Sequence, residues 1–528
     1  MKNTGKLLAS VAVAAMMSFS AHAQDNTFRY ATTGDILGLD PHMHNHGTTN
    51  TVKGMVYGAL VHRKYDLTLE PDLAESWETI DDVTWEFKLR EDVTFHDGTP
   101  FTADDVLYSF RRITQEGSEM SGFLSNVETI EKVDDHTIRV ITKGPDPILL
   151  QNLSLFFVVN EDFMEANDAF DVVVGGGSTN FANLNANGTG PYEIVEWSQD
   201  NRLVMEINED FWGYDELETN VERAEFLPIG NDSTRVAAIL SGEIDMMYPV
   251  PLQDVPRLEQ DENIEVLQGP ELRTIFLGMD QQRDELLDMP GSGENPFKDL
   301  RVRQAFAHAI DLDAIQRVVM RGASTPTGSM IAPGIVGFDE EIAEPYAYDP
   351  ERSMELLAEA GYPDGFPVTL DCPNDRYVND EAICSAIIPM LRRIGIDADL
   401  NAQTLSLHFN KMGAAEDYNT SFYMLGWTPG TYDAHNAFQN LINEGAVWNS
   451  GRYSNERVDE LSAQIAVTVD EDERNELIRE AMQIHKDEVG HLPLHQQALA
   501  WAVRTDRVEH IEQRPHNDVD LRYVRLRD

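Results

Sequence analysis

Cysteine is nearly absent: only Cys372 and Cys384 occur in 528 residues, so the core cannot rest on a disulfide framework, and at most one bridge can form. Positive charge is also scarce. Lys and Arg number 40 against 92 Asp and Glu, a formal net charge of −52 spread along the chain, and such a surface repels nucleic acid and anionic lipid. Beyond the first two dozen residues no apolar run approaches the roughly 20 residues that a membrane-spanning helix needs, so a membrane-embedded body is not expected. The common catalytic signatures are missing too: no G-x-S-x-G elbow, no H-E-x-x-H, and no lysine after a glycine loop. Gly188-Thr189-Gly190 runs into Pro191, which lacks the amide that a phosphate cradle would use. These absences argue against catalysis and against a bound cofactor, since a hydrolase would need a nucleophile and a base within hydrogen-bond reach.

What is present begins with a leader. Lys2 and Lys6 precede an apolar run from Leu7 to Phe19, and Ala21-His22-Ala23 stands before Gln24, the pattern of a secretory signal cleaved after Ala23. No cysteine follows that site, so a free periplasmic protein is expected rather than a lipoprotein. In an oxidising compartment disulfides persist. Cys372 ends a strand-like run and Cys384 lies one helical segment later, so the helix can fold back and pair them, although spacing alone leaves two separate buried thiols open.

About 505 residues remain after the leader, enough for two or three units at the usual ~100–200 residues per domain. Alternating segments such as FRYA, which ends at Thr32-Thr33-Gly34, and the pair PYEIVEW and RLVMEIN read as strands. Thr102-Ala103-Asp104-Asp105 opens a helix in a capping-box-like arrangement. From about Gly293 the pattern changes to amphipathic helices alternating with single strands, RVRQAFAHAIDLDAIQRVV, ERSMELLAEA, PVTLDC and NDEAICSAIIPMLRRIG among them, which marks an α/β unit with parallel pairing. PLHQQALAWAV then returns to short apolar runs. Gly175-Gly176-Gly177 and the asparagine-rich stretch after it read as a surface loop.

His42, His44 and His46 in PHMHNHG alternate, and on an extended strand three imidazoles at that spacing share a face and could hold a metal. Pro41 and Gly47 give the stretch a turn-like composition instead, which suits hydrogen bonding at the edge of a cleft. Pro493 between His491 and His495 precludes a helical ligand pair, so both are read as structural.

Taken in order, YGALVHR, LEPDLAESWE, FHDGTPFTADDVLYSFRR, GTGPYEIVEW, NEDFWGY, LSGEID, RVRQAFAHAID, GYPDGFP and YSNERVDEL resemble the extracellular solute-binding proteins of family 5, the peptide- and nickel-type binding proteins of ABC importers. The resemblance covers nearly the whole chain after the leader. It implies an α/β fold of the type II periplasmic binding kind, with two lobes, a hinge and an extra domain. The first lobe would combine 24–70, 188–280 and 495–528, the extra domain would take 71–187, and the second ligand-binding lobe 281–494. It also implies a monomer that captures a small organic ligand, a peptide or other carboxylate-bearing amino compound, and hands it to the importer's permease subunits; a metal or metal-chelate carrier built on the His42–His46 loop is the alternative.

In dipeptide-binding relatives an arginine after a second-lobe strand pairs with the ligand carboxylate, and Arg376 is the match. Those relatives carry an aspartate three residues after the tryptophan of a Gly-Trp pair, where it holds the ligand's amine. Here Gly426-Trp427 is followed at that place by Gly430, so Asp433 is the candidate for that role, with the faces of Trp427 and Tyr432 and with His435 beside it. From the first lobe, Thr32, Thr33, His44, Asn45 and His46 are expected to complete the pocket.

Overall fold

The computed structural model describes residues 26–172, 180–413 and 418–527; the leader with its cleavage site and the Gly175–Gly177 run lie outside the described residues. Two long strands run through the middle of the molecule. Ile264–Met279 and Leu492–Arg504 pair antiparallel over most of their length, from Ile264 opposite Arg504 to Leu277 opposite Leu492. The segment read as short apolar runs is therefore one 13-residue strand, and its residues are almost all buried because Leu494, Ala498, Ala500 and Ala502 enter one core and Trp501 and Val503 another.

On one side of this pair the sheet continues through Phe422–Trp427, Pro367–Pro373 and Asp397–Gln403, and on the other through Met246–Met247, Thr27–Thr32, Arg223–Pro228 and the hairpin Arg202–Ile207 with Tyr192–Ser198. One eleven-stranded sheet thus crosses the whole molecule. Within each flank the central strands are parallel: Pro367–Pro373 with its two neighbours, and Thr27–Thr32 with Arg223–Pro228 and Met246–Met247. Parallel strands need covered crossovers, and on the second flank the helix Asp380–Arg393 supplies one. In such sheets a ligand crevice forms outside the carboxyl ends of the strands. Those ends carry the Thr32–Thr33 turn on one flank, and the Asn374–Asn379 and Thr428–Tyr432 segments on the other.

A separate four-stranded antiparallel sheet, Ala74–Asp81, Thr84–Leu89, Thr137–Thr142 and Val127–Asp134, packs its inner face on the helix Ala103–Ile113. The helix start is the expected capping box: the Asp104 amide donates to Thr102 Oγ1 at 3.3 Å, and the Thr102 amide donates to Asp105 Oδ2 at 2.9 Å. The helix expected over RVRQAFAHAIDLDAIQRVV is broken. Leu300–Ala309 stops at Ile310, and Asp311 caps a new start by accepting from the Ala314 amide at 2.8 Å, with wider turns over Ile315–Val319. Asp311, inside the run expected as one helix, is thus a second N-cap.

Cys372 and Cys384 are joined, with Cα atoms 6.6 Å apart, inside the range that a bridge allows. The bond ties the end of Pro367–Pro373 to the second turn of Asp380–Arg393 and so closes the short loop between them. Replacing both cysteines by serine should cost about 3 kcal/mol of unfolding free energy in the chain-entropy account of a loop this short. Denaturant titration of the exported protein checks it, and a double variant as stable as the parent would show that the bridge constrains nothing.

Candidate functional site

The bridged loop is held on every side except one. The Asn374 amide donates to the Gln403 carbonyl, the Arg376 and Tyr377 amides both donate to Asp380 Oδ2 at 2.9 Å, and the Val378 amide donates to Gln497 Oε1 at 3.0 Å. Asn379 takes a left-handed conformation, φ 58°, and its side-chain amide donates to the Val319 carbonyl; asparagine tolerates that region better than most residues. With the backbone so fixed, the Arg376 guanidinium is the part left facing out. Solvent reaches it, yet the protein around it lowers its pKa by desolvation and by the nearby charge of Arg273.

Arg273 comes from the central strand pair. The ladder loses register between Pro270 and Thr274, and a break of this kind turns side chains out of the pleat. Arg376 and Arg273 both lie by the buried Tyr377 ring, 5.5 Å and 5.9 Å from its centroid. Arg273 pairs with Glu271 at 3.2 Å, and Glu271 also accepts a 2.5 Å hydrogen bond from the Gln497 side chain. Gln497 therefore ties the strand Leu492–Arg504 to Glu271 on one side and to the Arg376 loop on the other. No carboxylate among the described residues pairs with Arg376.

Across from Arg376 stands the histidine loop. His46 is exposed, and desolvation first, then the positive charge of Arg376, hold its pKa below the ordinary imidazole value. Asn45 donates its amide to Glu119 Oε2 at 2.9 Å, and His44 Nδ1 lies 3.3 Å from Glu119 Oε1. His42 has a different fate. It is fully buried, with Nε2 2.8 Å from the Phe157 carbonyl oxygen and Nδ1 3.1 Å from Arg112 Nη1. Since the carbonyl can only accept, Nε2 carries the proton and Nδ1 accepts from the guanidinium, which itself grips Asp40. Desolvation and the Arg112 charge push the His42 pKa down to about 3. The three histidines consequently do not converge on one point as the metal-carrier alternative expects, and no group of three or more His, Cys, Asp or Glu among the described residues is arranged to hold a metal ion.

Thr32 is buried, its hydroxyl donating to the Gly34 carbonyl, while Thr33 is exposed at the end of the first-flank strand. On the second flank, half-buried Trp427 donates from Nε1 to Asn436 Oδ1 at 3.0 Å. Asp433 departs from the expectation that it faces a ligand. It is 1% exposed, and both oxygens accept from Arg474 at 2.7 Å in a bidentate pair; one of them also accepts the His435 amide. An exposed ammonium cannot compete with a desolvated fork of this kind. His435 beside it is buried, its pKa pushed down to about 4 by desolvation. Tyr432 is buried, with Arg63 4.0 Å over its ring and its hydroxyl 2.8 Å from His516 Nδ1.

Arg273, Glu271 and Gln497 escaped the sequence reading. The signal was there in part: Glu271 and Arg273 are charges in the middle of the apolar run IEVLQGPELRTIFLGM, where an ordinary buried strand would carry none.

A mixed α/β molecule whose two flanks share a pair of central strands has the build of a two-lobed binding protein. The model for bacterial extracellular solute-binding proteins, family 5 Middle, matches residues 68–449, and the chain belongs to that family, whose members bind substrates rather than transform them. It is 27% identical to the dipeptide-binding protein of Escherichia coli strain K12, over 96% of each chain. It is 28% identical to heme-binding protein A of Haemophilus influenzae, over 93% of this chain and 91% of that one. Among solved structures it resembles the ABC transporter-associated periplasmic binding protein DppA of Helicobacter pylori in complex with peptide STSA, with TM-score 0.75, 25% identity, and coverage of 95% of this chain and 98% of that one. The two-lobed periplasmic-binding fold expected from the resemblance is therefore the fold of the chain. Among the described residues no helix is long and apolar enough to cross a membrane.

The Asp433–Arg474 pair gives a prediction about architecture. Asp433→Ala should lower unfolding free energy by about 3–5 kcal/mol, since it leaves Arg474 buried and unpaired. A denaturant midpoint unchanged from the parent would show Asp433 to be solvated and free for another task.

Proposed function

We propose that this protein captures a small organic ligand bearing a carboxylate, a peptide or other carboxylate-bearing amino compound, and delivers it to the permease subunits of an ABC importer. The observation that carries this reading is Arg376. This exposed guanidinium stands beside a second arginine, Arg273, and near His46 of the first flank, and it makes no ion pair of its own among the described residues. A planar fork held ready in this way suits a carboxylate, with two charge-assisted hydrogen bonds that lysine cannot reproduce. The relatives named for dipeptide and heme binding, and the neighbour holding peptide STSA, agree with a ligand that carries carboxylates.

The first lobe is formed by 24–70, 188–280 and 495–528, the extra domain by 71–187 and the second lobe by 281–494; His46 and Thr33 meet the ligand from the first lobe, and Trp427 borders it from the second. Binding closes the lobes by a hinge. The protein works as a periplasmic monomer after cleavage behind Ala23, and it catalyses no reaction.

Arg376→Ala should weaken binding by about 2–4 kcal/mol, roughly 30- to 1000-fold, because a buried carboxylate loses its partner, and Arg376→Lys should recover only part. The probe is a mixed dipeptide pool screened by thermal shift, then calorimetry on the component that stabilises most. Binding within about threefold of the parent by a folded Arg376→Ala protein would make this arginine a surface residue and remove the carboxylate preference with it.

A further inference from the structure

The aspartate that would hold a ligand's amine is missing where the resemblance puts it: Gly430 stands there, and Asp433 is locked to Arg474. Two other acids have oxygens to spare. Among the described residues only two carboxylate oxygens are buried without a hydrogen-bond partner, Oδ1 of Asp518 and Oδ2 of Asp520. Both residues line one cavity of about 80 Å³. Buried polar atoms are normally satisfied, so two orphaned oxygens in the same hollow mark a place that an occupant completes.

Charge around this cavity is balanced, with Asp72, Asp518 and Asp520 set among Arg63, Arg514 and Arg522. The guanidiniums are mostly engaged. Arg522 Nε donates to Asp520 Oδ1 at 3.0 Å, Arg514 Nη1 donates to Asp518 Oδ2 at 2.9 Å, and Arg63 donates to the Leu67 carbonyl and the Gln151 side chain. Arg514 Nη1 also lies 3.5 Å from Asp520 Oδ2, too far for a good hydrogen bond. Asp72 accepts from the Ala59 amide. What remains is one free oxygen on each of two aspartates and the Nε–H donors of Arg63 and Arg514, with His62 Nε2 beside them. Acceptors and donors at one place match an α-amino end, whose ammonium donates up to three hydrogen bonds while the carbonyl next to it accepts. The volume holds such a group, or a handful of waters.

Two elements lead from Arg376 to the cavity. Asn50 and Thr51, in its wall, lie about one turn along the helix Gly47–Val56 from the N-cap His46, and His46 feels the Arg376 charge. His516, also in the wall, feels the charge of Glu271, the partner of Arg273.

We propose that the cavity lined by Asp518 and Asp520 receives the free ammonium group of the ligand, so that the compound captured is a peptide or amino-acid derivative with an unblocked amine. The inference rests on the reading of Arg376 as the carboxylate partner and deepens it, by assigning the other end of the molecule to acids near the C-terminus of the chain.

Asp518→Asn is the probing variant. Its amide oxygen keeps the bond from Arg514, and its amide nitrogen puts donors where the free oxygen was, so an ammonium loses its partner while the ion network keeps its shape. Di- to pentapeptide pools, free or N-acetylated, are screened by thermal shift on the full exported protein, and calorimetry follows on the component that stabilises it most and on the acetylated form of that component. Acetylation should weaken binding by about 30-fold or more and Asp518→Asn by about 10-fold or more. The two together should weaken it little more than acetylation alone, because both remove one contact. An acetylated form bound within about threefold of the free one would overturn the inference and leave the cavity to water; this arm uses the parent protein and stands even where Asp518→Asn does not fold. A folded Asp518→Asn protein that binds the free form within about threefold of the parent, or losses that multiply, would overturn it too, by placing the amine elsewhere. Each of these results leaves the carboxylate reading intact so long as Arg376→Ala weakens binding, whereas a parent protein that binds no component overturns both.

Discussion

The antiparallel pairing of Ile264–Met279 with Leu492–Arg504 is the constraint on which the rest of the molecule depends. Both flanks of the eleven-stranded sheet are built outward from it, so the positions of the two lobes are set by one ladder. The same ladder supplies chemistry. Its loss of register after Pro270 puts Glu271 and Arg273 at the cleft, and Gln497 on the partner strand binds Glu271 and the backbone of the Arg376 loop together. On the function proposed above, ligand contact and the strand pair that joins the flanks would share residues, which would couple binding to lobe movement.

Around that pair, order is concentrated where the guanidinium of Arg376 must be held. A disulfide, the two loop amides that donate to Asp380, and the bond from Val378 to Gln497 all act on the loop Asn374–Asn379. None of these touches the guanidinium itself. The cost of ordering the loop is met during folding, so less remains to be met when a ligand binds. Tyr432 plays a related part, with Arg63 covering its ring and His516 its hydroxyl, both partners distant in the chain.

Much of this architecture was legible in the sequence. The alternating runs, the Thr102 capping box, the hairpin Tyr192–Ile207 and the strand-helix alternation after Gly293 are local patterns, and local patterns survive folding well. What escaped depended on partners distant in the chain. Asp433 looked free because Arg474, which claims it, lies 41 residues away. His42 belonged by spacing with His44 and His46, but burial against Phe157 and Arg112 removed it from the group. Glu271 and Arg273 gain meaning only from the ladder's loss of register, which no period in the sequence announces.

The central claim is that Arg376 waits unpaired for an anionic group. Its Nε–H resonance in a spectrum of ¹⁵N-arginine-labelled protein, assigned by its disappearance in Arg376→Lys, reports on that group directly. Addition of the pool component that stabilises the protein most should move this resonance and slow its exchange with water, as a charge-assisted hydrogen bond forms away from solvent. A resonance unmoved at saturation by a ligand that demonstrably binds would contradict the account.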